Sequence, residues 1–211
     1  MYEVLENNHR RYNKSLSAAF LKTRKKWGQL SNMCAGFPIS ISNIIDTVGT
    51  EAIYQACRYP DHPNVQAQIL SEGVTLYESK KIAWLHLECT RSDWDRARVA
   101  IMRWCLKVKI AAHWDRLYPI LLESKDMPIV EISGRDNFWG AIEQGEDSNS
   151  LVGKNILGRL WMEQREIALI QGFSAYETIE PPIDNFMLLG IPIPTLTFSK
   201  SNLSIDQLSI F

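Results

Sequence analysis

Hydrophobic positions recur along this chain with two periods, and each period marks a different kind of element. In GFPISISNIID, Phe37, Ile39 and Ile41 alternate with small polar residues, which predicts a strand, with Ser42-Asn43 turning into a second short strand. TEAIYQACRY, from Thr50, predicts a helix that Pro60 and Pro63 stop, and further helical patterns cover about 63–72 and 78–88. The longest pattern runs over 93–117, where Trp94, Ala97, Ile101, Cys105, Val108 and Ala112 recur at intervals of three and four. Ser92 with Asp95 resembles a capping box at its start, and Pro119 is expected to close it. PIVEI (128–132) reads as a strand, 133–154 as a long functional loop, and 155–171 as a helix closed by Gly172. Residues 1–26 read as a polar lead-in with a helix near Ser15–Arg24. Beyond Gly172, FMLLGIPIPTLTF cannot be a regular helix because of Pro192 and Pro194. It is too apolar to rest in water, so it should pack on the domain or on a partner. The expected fold class is α+β: a single mostly helical domain (27–171) around a small β-sheet, with the lead-in before it and a Pro-rich apolar extension (172–211) packed on it.

Composition narrows the function classes. With 45% hydrophobic residues in 211, the chain can bury a sizeable core, which argues against a disordered chain. A net charge of -1 excludes a global positive field for nucleic acid. The charge is nevertheless uneven, because Lys22, Arg24, Lys25 and Lys26 fall within five positions and offer a local patch for phosphates. Cys34, Cys57, Cys89 and Cys105 form no CxxC, and the four histidines are equally dispersed, so neither a metal site nor a disulfide scaffold is expected, and no cofactor. No apolar run approaches the ~18 residues that span a bilayer, and the N-terminal residues lack the apolar core of a signal peptide. A cytoplasmic chain with no membrane partner is the expectation.

Four places set polar residues among aromatics. In Trp27-Gly28-Gln29-Leu30-Ser31-Asn32-Met33, a glycine beside tryptophan admits close backbone approach while Ser31 and Asn32 offer hydrogen bonds; the alternative is an ordinary turn before a strand. Glu51 opens a helix, followed by Tyr54 and Gln55. A carboxylate in a first turn suits offsetting positive charge, or merely compensates the dipole of a solvated helix end. In Gly134-Arg135-Asp136-Asn137-Phe138-Trp139-Gly140, an acid, two aromatics and a glycine have the make-up of a ring-and-sugar pocket, or else of a structural corner. Gly153-Lys154-Asn155-Ile156-Leu157-Gly158 resembles a phosphate-binding helix start without the GxGxxG or Walker spacing. Lys109 shares the apolar side of the long helix with Met102 and Cys105, and either snorkels or is desolvated and nucleophilic.

Six fragments in this order, WGQLSNM (27–33), TEAIYQA (50–56), DW (93–94), MRWCLKVK (102–109), IVEISGRDNFWGA (129–141) and GKNILGRLWMEQR (153–165), resemble the NADAR superfamily, also called YbiA-like. The sequence departs from the common Glu-His at Glu51-Ala52. The resemblance implies an N-glycoside-cleaving enzyme of one of two kinds: one acts on early riboflavin-pathway intermediates, the other, found beside DarT-type DNA ADP-ribosyltransferases, removes ADP-ribose from guanine bases. WGQLSNM with FPI, EAIYQACRYPD and DNFWGA look more like the second, and with it an antitoxin or repair role. Breaking a ribose C1–nitrogen bond passes through an oxocarbenium-like state that needs a carboxylate and a proton donor. Glu51 and Asp136 are the candidate acids, and Lys109 is the candidate amine for a Schiff-base route. Trp27, Gly28, Met33, Tyr54, Gln55, Trp94, Phe138, Trp139 and Gly140 would line or wall the site, and Ser31, Asn32 and Asn155 would hold ribose or pyrophosphate oxygens. A small-molecule N-glycosidase acting on a phosphoribosyl pyrimidine and a non-catalytic ADP-ribose-binding module are the alternatives.

Overall fold

A computed structural model describes residues 2–21, 23–41, 44–47, 49–145 and 149–200. In chain order it contains β1 (Tyr2–Val4), β2 (Arg10–Asn13), β3 (Ala18–Phe20), β4 (Ile39–Ile41), β5 (Ile45–Thr47), α1 (Thr50–Ala56), α2 (Pro63–Ile69), α3 (Leu76–Trp84), α4 (Trp94–Ala112) and α5 (Trp114–Glu123). Then follow β6 (Ile129–Glu131), β7 (Ile142–Glu143), β8 (Ser150–Gly153), α6 (Ile156–Gln171) and four two-residue strands, β9 (Thr178–Ile179), β10 (Met187–Leu188), β11 (Ile191–Pro192) and β12 (Leu196–Thr197). The class is α+β, with helices carrying most of the regular structure and the strands in small sheets. The described residues form two compact units, one from 2–31 and 116–172, the other from 32–115 and 173–200.

The first unit is built on an antiparallel sheet in the order β1-β2-β8-β7, beside a parallel pair of β3 and β6. Tyr12 on β2, Leu151 on β8, Val130 on β6 and Ala141 form its buried cluster. The expected lead-in with a helix at Ser15–Arg24 is therefore corrected: 2–20 supply three strands, because Ala18 and Phe20 alternate inward and pair with β6. Asn13 caps only a short turn at Lys14–Leu16. The expected loop 133–154 is likewise part strand, with β7 and β8 paired to each other. The helix expected at 155–171 is α6, and Gly172 ends it at φ 65°. Trp161 on α6 is fully buried and donates from Nε1 to the Leu30 carbonyl at 2.8 Å. That bond anchors the turn after Trp27.

Three glycines of this unit have steric causes. A Cβ on Gly158 would lie 2.1 Å from the Ile129 carbonyl oxygen, and on Gly153 2.3 Å from that of Gly140. On Gly140 itself it would meet the Glu131 carbonyl oxygen at 2.7 Å. These glycines let β6, the DNFWG corner and α6 approach one another at backbone distance.

The second unit is a helical cluster with the β4–β5 hairpin. The alternation at Phe37–Ile41 makes β4 as expected, whereas Ser42 and Asn43 lie outside the described residues. The long helix breaks at His113 (φ -133°, ψ 38°), so 94–123 is two helices, and Pro119 lies within α5 rather than closing α4. The Ser92–Asp95 capping box is also corrected. Asp93 stands at the cap and its carboxylate is held by Arg91 Nε and a terminal guanidinium nitrogen at 2.5 and 3.1 Å, an interaction that keeps its carboxyl below the usual carboxylate range. The capping box is on α3, where Thr75 and Glu78 bond reciprocally.

Residues 173–200 belong to this unit, as the apolar pattern requires. Gln66, fully buried on α2, donates to the carbonyls of Ala56 and Met187, and its Oε1 accepts from the Leu189 amide. Arg91 donates to the carbonyls of Asp184 and Asn185. Phe186 meets Trp104 edge-on at 4.9 Å, and Phe173 meets Trp114 at 5.4 Å. No helix among the described residues is long and apolar enough to cross a membrane.

Candidate functional site

α1 is buried along its whole length, and this decides how Glu51 is to be read. Its side chain is 8% exposed, so it is not a dipole-compensating group on a solvated helix end. One turn on, Gln55 Nε2 donates to Glu51 Oε1 at 2.9 Å, and Lys80 Nζ of α3 lies 4.0 Å from the same oxygen. A buried carboxylate without such partners would be costly. Gln55 Oε1, also buried, accepts no hydrogen bond.

Tyr54, beside Glu51 on α1, packs against Trp94 of α4 with ring centroids 5.3 Å apart, and Arg58 lies over the other ring at 5.0 Å. Burial pushes the Tyr54 phenol well above its ordinary pKa, and the Glu51 carboxylate adds to the shift, so the hydroxyl remains a proton donor. The same burial raises the Cys105 thiol of α4, with Cys57 and Glu51 contributing. Cys105 is thus an inert neutral wall beside the acid.

Along α4, Met102, Cys105 and Lys109 occupy one face. Asn32 Nδ2 donates to Met102 Sδ at 3.0 Å, while the buried Asn32 Oδ1 accepts nothing. Lys109 is fully buried, so it does not snorkel to solvent. Its Nζ lies 4.6 Å from the centre of the Phe37 ring. This unit therefore holds Asn32, Glu51, Tyr54, Gln55, Trp94 and Lys109, all on or against α1 and α4, and Met33 is half-buried. Arg58, Lys80 and Phe37 were not among the expected site residues. The packing of α1 against α3 and α4 brings in Arg58 and Lys80, and the packing of α4 beside β4 brings in Phe37.

The other expected residues lie in the first unit. Trp27 is in the left-handed region at φ 67°, with Lys26 Nζ 4.6 Å from its ring centre, and Gly28, Leu30 and Ser31 behind it are buried. Asp136 is exposed, and its Oδ1 accepts from the amides of Phe138 and Trp139 at 2.8 and 2.9 Å. That is an Asx-type turn, in which this oxygen shapes the corner. Phe138 and Trp139 stand half-buried and edge to face, centroids 5.1 Å apart.

Asn155 is corrected more firmly. It is fully buried, Oδ1 accepts from the Glu131 amide at 3.1 Å, and Nδ2 donates to the Ile129 carbonyl at 2.9 Å. Its amide ties α6 to β6 and is spent on backbone. Gly140, Gly153 and Gly158 are required by the packing just described, which leaves the phosphate-cradle reading of GKNILG without support. Of the basic stretch, Arg24, Lys25 and Lys26 are exposed, Lys26 pairs with Glu123 at 2.7 Å, and Lys22 lies outside the described residues.

The NADAR domain model matches residues 19–168, most of the chain. The chain belongs to the NADAR family. It is 36% identical over 150 residues to an N-glycosidase of Nostoc punctiforme, covering 70% of this chain and 89% of that protein. It is 28% identical over 158 residues to the chloroplastic riboflavin biosynthesis protein PYRR of Zea mays, covering 70% of this chain and 24% of that protein. The match to PYRR of Arabidopsis thaliana is 36% identical over 78 residues, 37% of this chain and 12% of that one. The chain thus spans about a quarter or less of the length of these two plant relatives. Among solved structures, the Escherichia coli protein YbiA is similar with a TM-score of 0.59 and 25% identity, over 72% of this chain and 84% of that one. The NADAR match runs through both units and ends within α6 of the first, so the segment after Gly172 lies outside it.

Proposed function

We propose that this chain is an N-glycosyl hydrolase that removes ADP-ribose from guanine bases in DNA, with Glu51 as the group that offsets charge at ribose C1. The observation that carries the reading is a buried carboxylate, oriented by Gln55, in the same helical cluster as a fully buried lysine, in a member of the NADAR family. The similarity to the Nostoc N-glycosidase supports N-glycoside cleavage. The preference for ADP-ribosylated guanine rests on the resemblance of WGQLSNM, EAIYQACRYPD and DNFWGA to the DarT-associated branch. It implies pairing with a DarT-type ADP-ribosyltransferase in a cytoplasmic antitoxin or repair role.

In direct hydrolysis the C1–nitrogen bond breaks with its electron pair going to the nitrogen, which takes up a proton. Water adds to C1 and gives up a proton in turn. The positive charge that develops at C1 is offset by Glu51, whose orientation is fixed in advance. Lys109 opens a second route. After the ribose ring opens, C1 and the guanine nitrogen form an imine; the lysine amine adds to C1, the guanine amine leaves with a proton, and water cleaves the new Schiff base. Borohydride trapping distinguishes them, because only the second leaves a mass adduct on the peptide that holds Lys109.

The plant relatives, named for riboflavin biosynthesis, favour a second reading: hydrolysis of a phosphoribosyl pyrimidine by the same acid. Parallel assays on ADP-ribosylated oligonucleotide and on phosphoribosyl pyrimidine test the choice. Release of ADP-ribose from the first without turnover of the second is expected; the reverse would transfer the chain to the small-molecule class. Binding of free ADP-ribose by calorimetry with release from neither would make it a binding module.

A further inference from the structure

The helix that lends Lys80 to Glu51 leaves another face in solvent. On α3, Tyr77 and Trp84 are each 61% exposed, and Leu85 and Leu87 just beyond are 75% and 48% exposed. Tyr77 and Trp84 are seven residues apart, two turns of helix, so they stand on one face about 10 Å apart along the axis. Lys81 lies between them, with Nζ 4.6 Å from the centre of the Tyr77 ring, and Lys80 adjoins it on the side that reaches Glu51. The nearby carboxylates are Glu78, held in the capping box by Thr75, and Glu88, 4.0 Å from His86 Nδ1. Burying a tryptophan or tyrosine is ordinarily favourable, so two such rings in water, with the Lys81 cation between them, are better suited to a flat partner that carries negative charge.

We propose that this face of α3 is a platform for single-stranded nucleic acid: bases stack on Tyr77 and Trp84, Lys81 meets an intervening phosphate, and the strand leads toward Glu51. The alternation of rings and cations matches the alternation of bases and phosphates, which is the recurring construction of sequence-tolerant single-strand sites. Stacked nucleotides rise about 3.4 Å each, so rings about 10 Å apart along the helix axis stand at the spacing of bases about three steps apart along one strand. The inference rests on the reading that the substrate is carried on a nucleic-acid strand. It adds a surface that the first-unit basic stretch does not include.

The test uses the full chain and a fluorescein-labelled, unmodified oligothymidylate of about 12 nucleotides, with affinity read by anisotropy. Both rings are exposed, so Tyr77→Ser with Trp84→Ser should leave the circular dichroism and melting temperature unchanged while weakening binding by about 100-fold, roughly tenfold per ring. Lys81→Gln should reduce the salt slope by about 0.7. Equal affinity of the double variant and the wild type, or no binding by the wild type, overturns the platform. So does loss of self-association in the double variant without any oligonucleotide binding, which would make the face a protein interface. Because the probe is unmodified, strand binding through the rings without release of ADP-ribose would leave the platform standing and remove the substrate reading. Equal turnover of an ADP-ribosylated oligonucleotide by the double variant and the wild type would do the opposite.

Discussion

At the scale of single residues, Glu51 and Asp136 resembled each other in the sequence as acids beside aromatics, and burial separates them. Glu51 is enclosed and oriented, whereas Asp136 is exposed and occupied by two amides. Asp136→Ala should therefore lower stability by about 1–2 kcal/mol, the cost of leaving turn amides without their acceptor, and change the rate constant of the chemical step only a few-fold. Urea unfolding and single-turnover kinetics together check this; a large rate loss with unchanged stability would return Asp136 to the acids. For Lys109, a Met replacement keeps most of the buried volume. If the Schiff-base route operates, Lys109→Met should lose activity and the borohydride adduct together, while an active variant without adduct would leave direct hydrolysis. Residue identities were legible in the sequence, but not what each side chain faces: nothing local tells that the Asn155 amide is bound to β6 on both sides.

At the scale of elements, α4 and β4 were legible because each turns apolar positions of a regular period inward. The strands of residues 2–20 were not, since strands of three or four residues carry almost no periodicity, and β2 and β3 have partners more than a hundred residues away, such as Val152 opposite Arg11 and Ile129 opposite Ala18. The start of α3 at Thr75 could have been read from Thr75 and Glu78 themselves. The glycines looked like ligand glycines and are packing glycines. Gly158→Ala, with its Cβ 2.1 Å from a carbonyl oxygen, should destabilise the chain by several kcal/mol; a melting temperature equal to that of wild type would contradict the close approach of α6 and β6. The second unit's helices also make a pH prediction. Burial pushes the Cys57 thiol up to about 12 from an ordinary 9.0. The folded protein then keeps a proton that the unfolded chain releases, so stability present below pH 9 is lost as pH rises toward 12, by up to ~1.4 kcal/mol per unit per group. Cys57→Ala should flatten that decline in urea midpoints measured between pH 8 and pH 10, and an unchanged slope would show that Cys57 is not the source.

For the whole molecule, the family was legible in six fragments, whereas the fold class came from periodicity and the division into two units from neither. The segment after Gly172 lies beyond the NADAR match, yet Ile179, Phe186, Leu188, Ile193 and Leu196 are buried and Gln66 and Arg91 bond to its carbonyls. Ending the chain at Gly172 should expose that surface and strand those donors, with a fall in melting temperature or loss of soluble protein; an unchanged melting temperature would refute its structural role. The central claim is that a buried, oriented Glu51 drives cleavage of an ADP-ribosyl–guanine bond. Its most direct test is the single-turnover rate of ADP-ribose release from a modified oligonucleotide by the wild type and by Glu51→Gln, with folding verified by circular dichroism. Release by the wild type and a loss of ~100-fold or more in the folded variant are expected, the usual cost of removing a transition-state electrostatic contact. No release by the wild type, or a variant keeping more than about a tenth of its rate, would contradict the account.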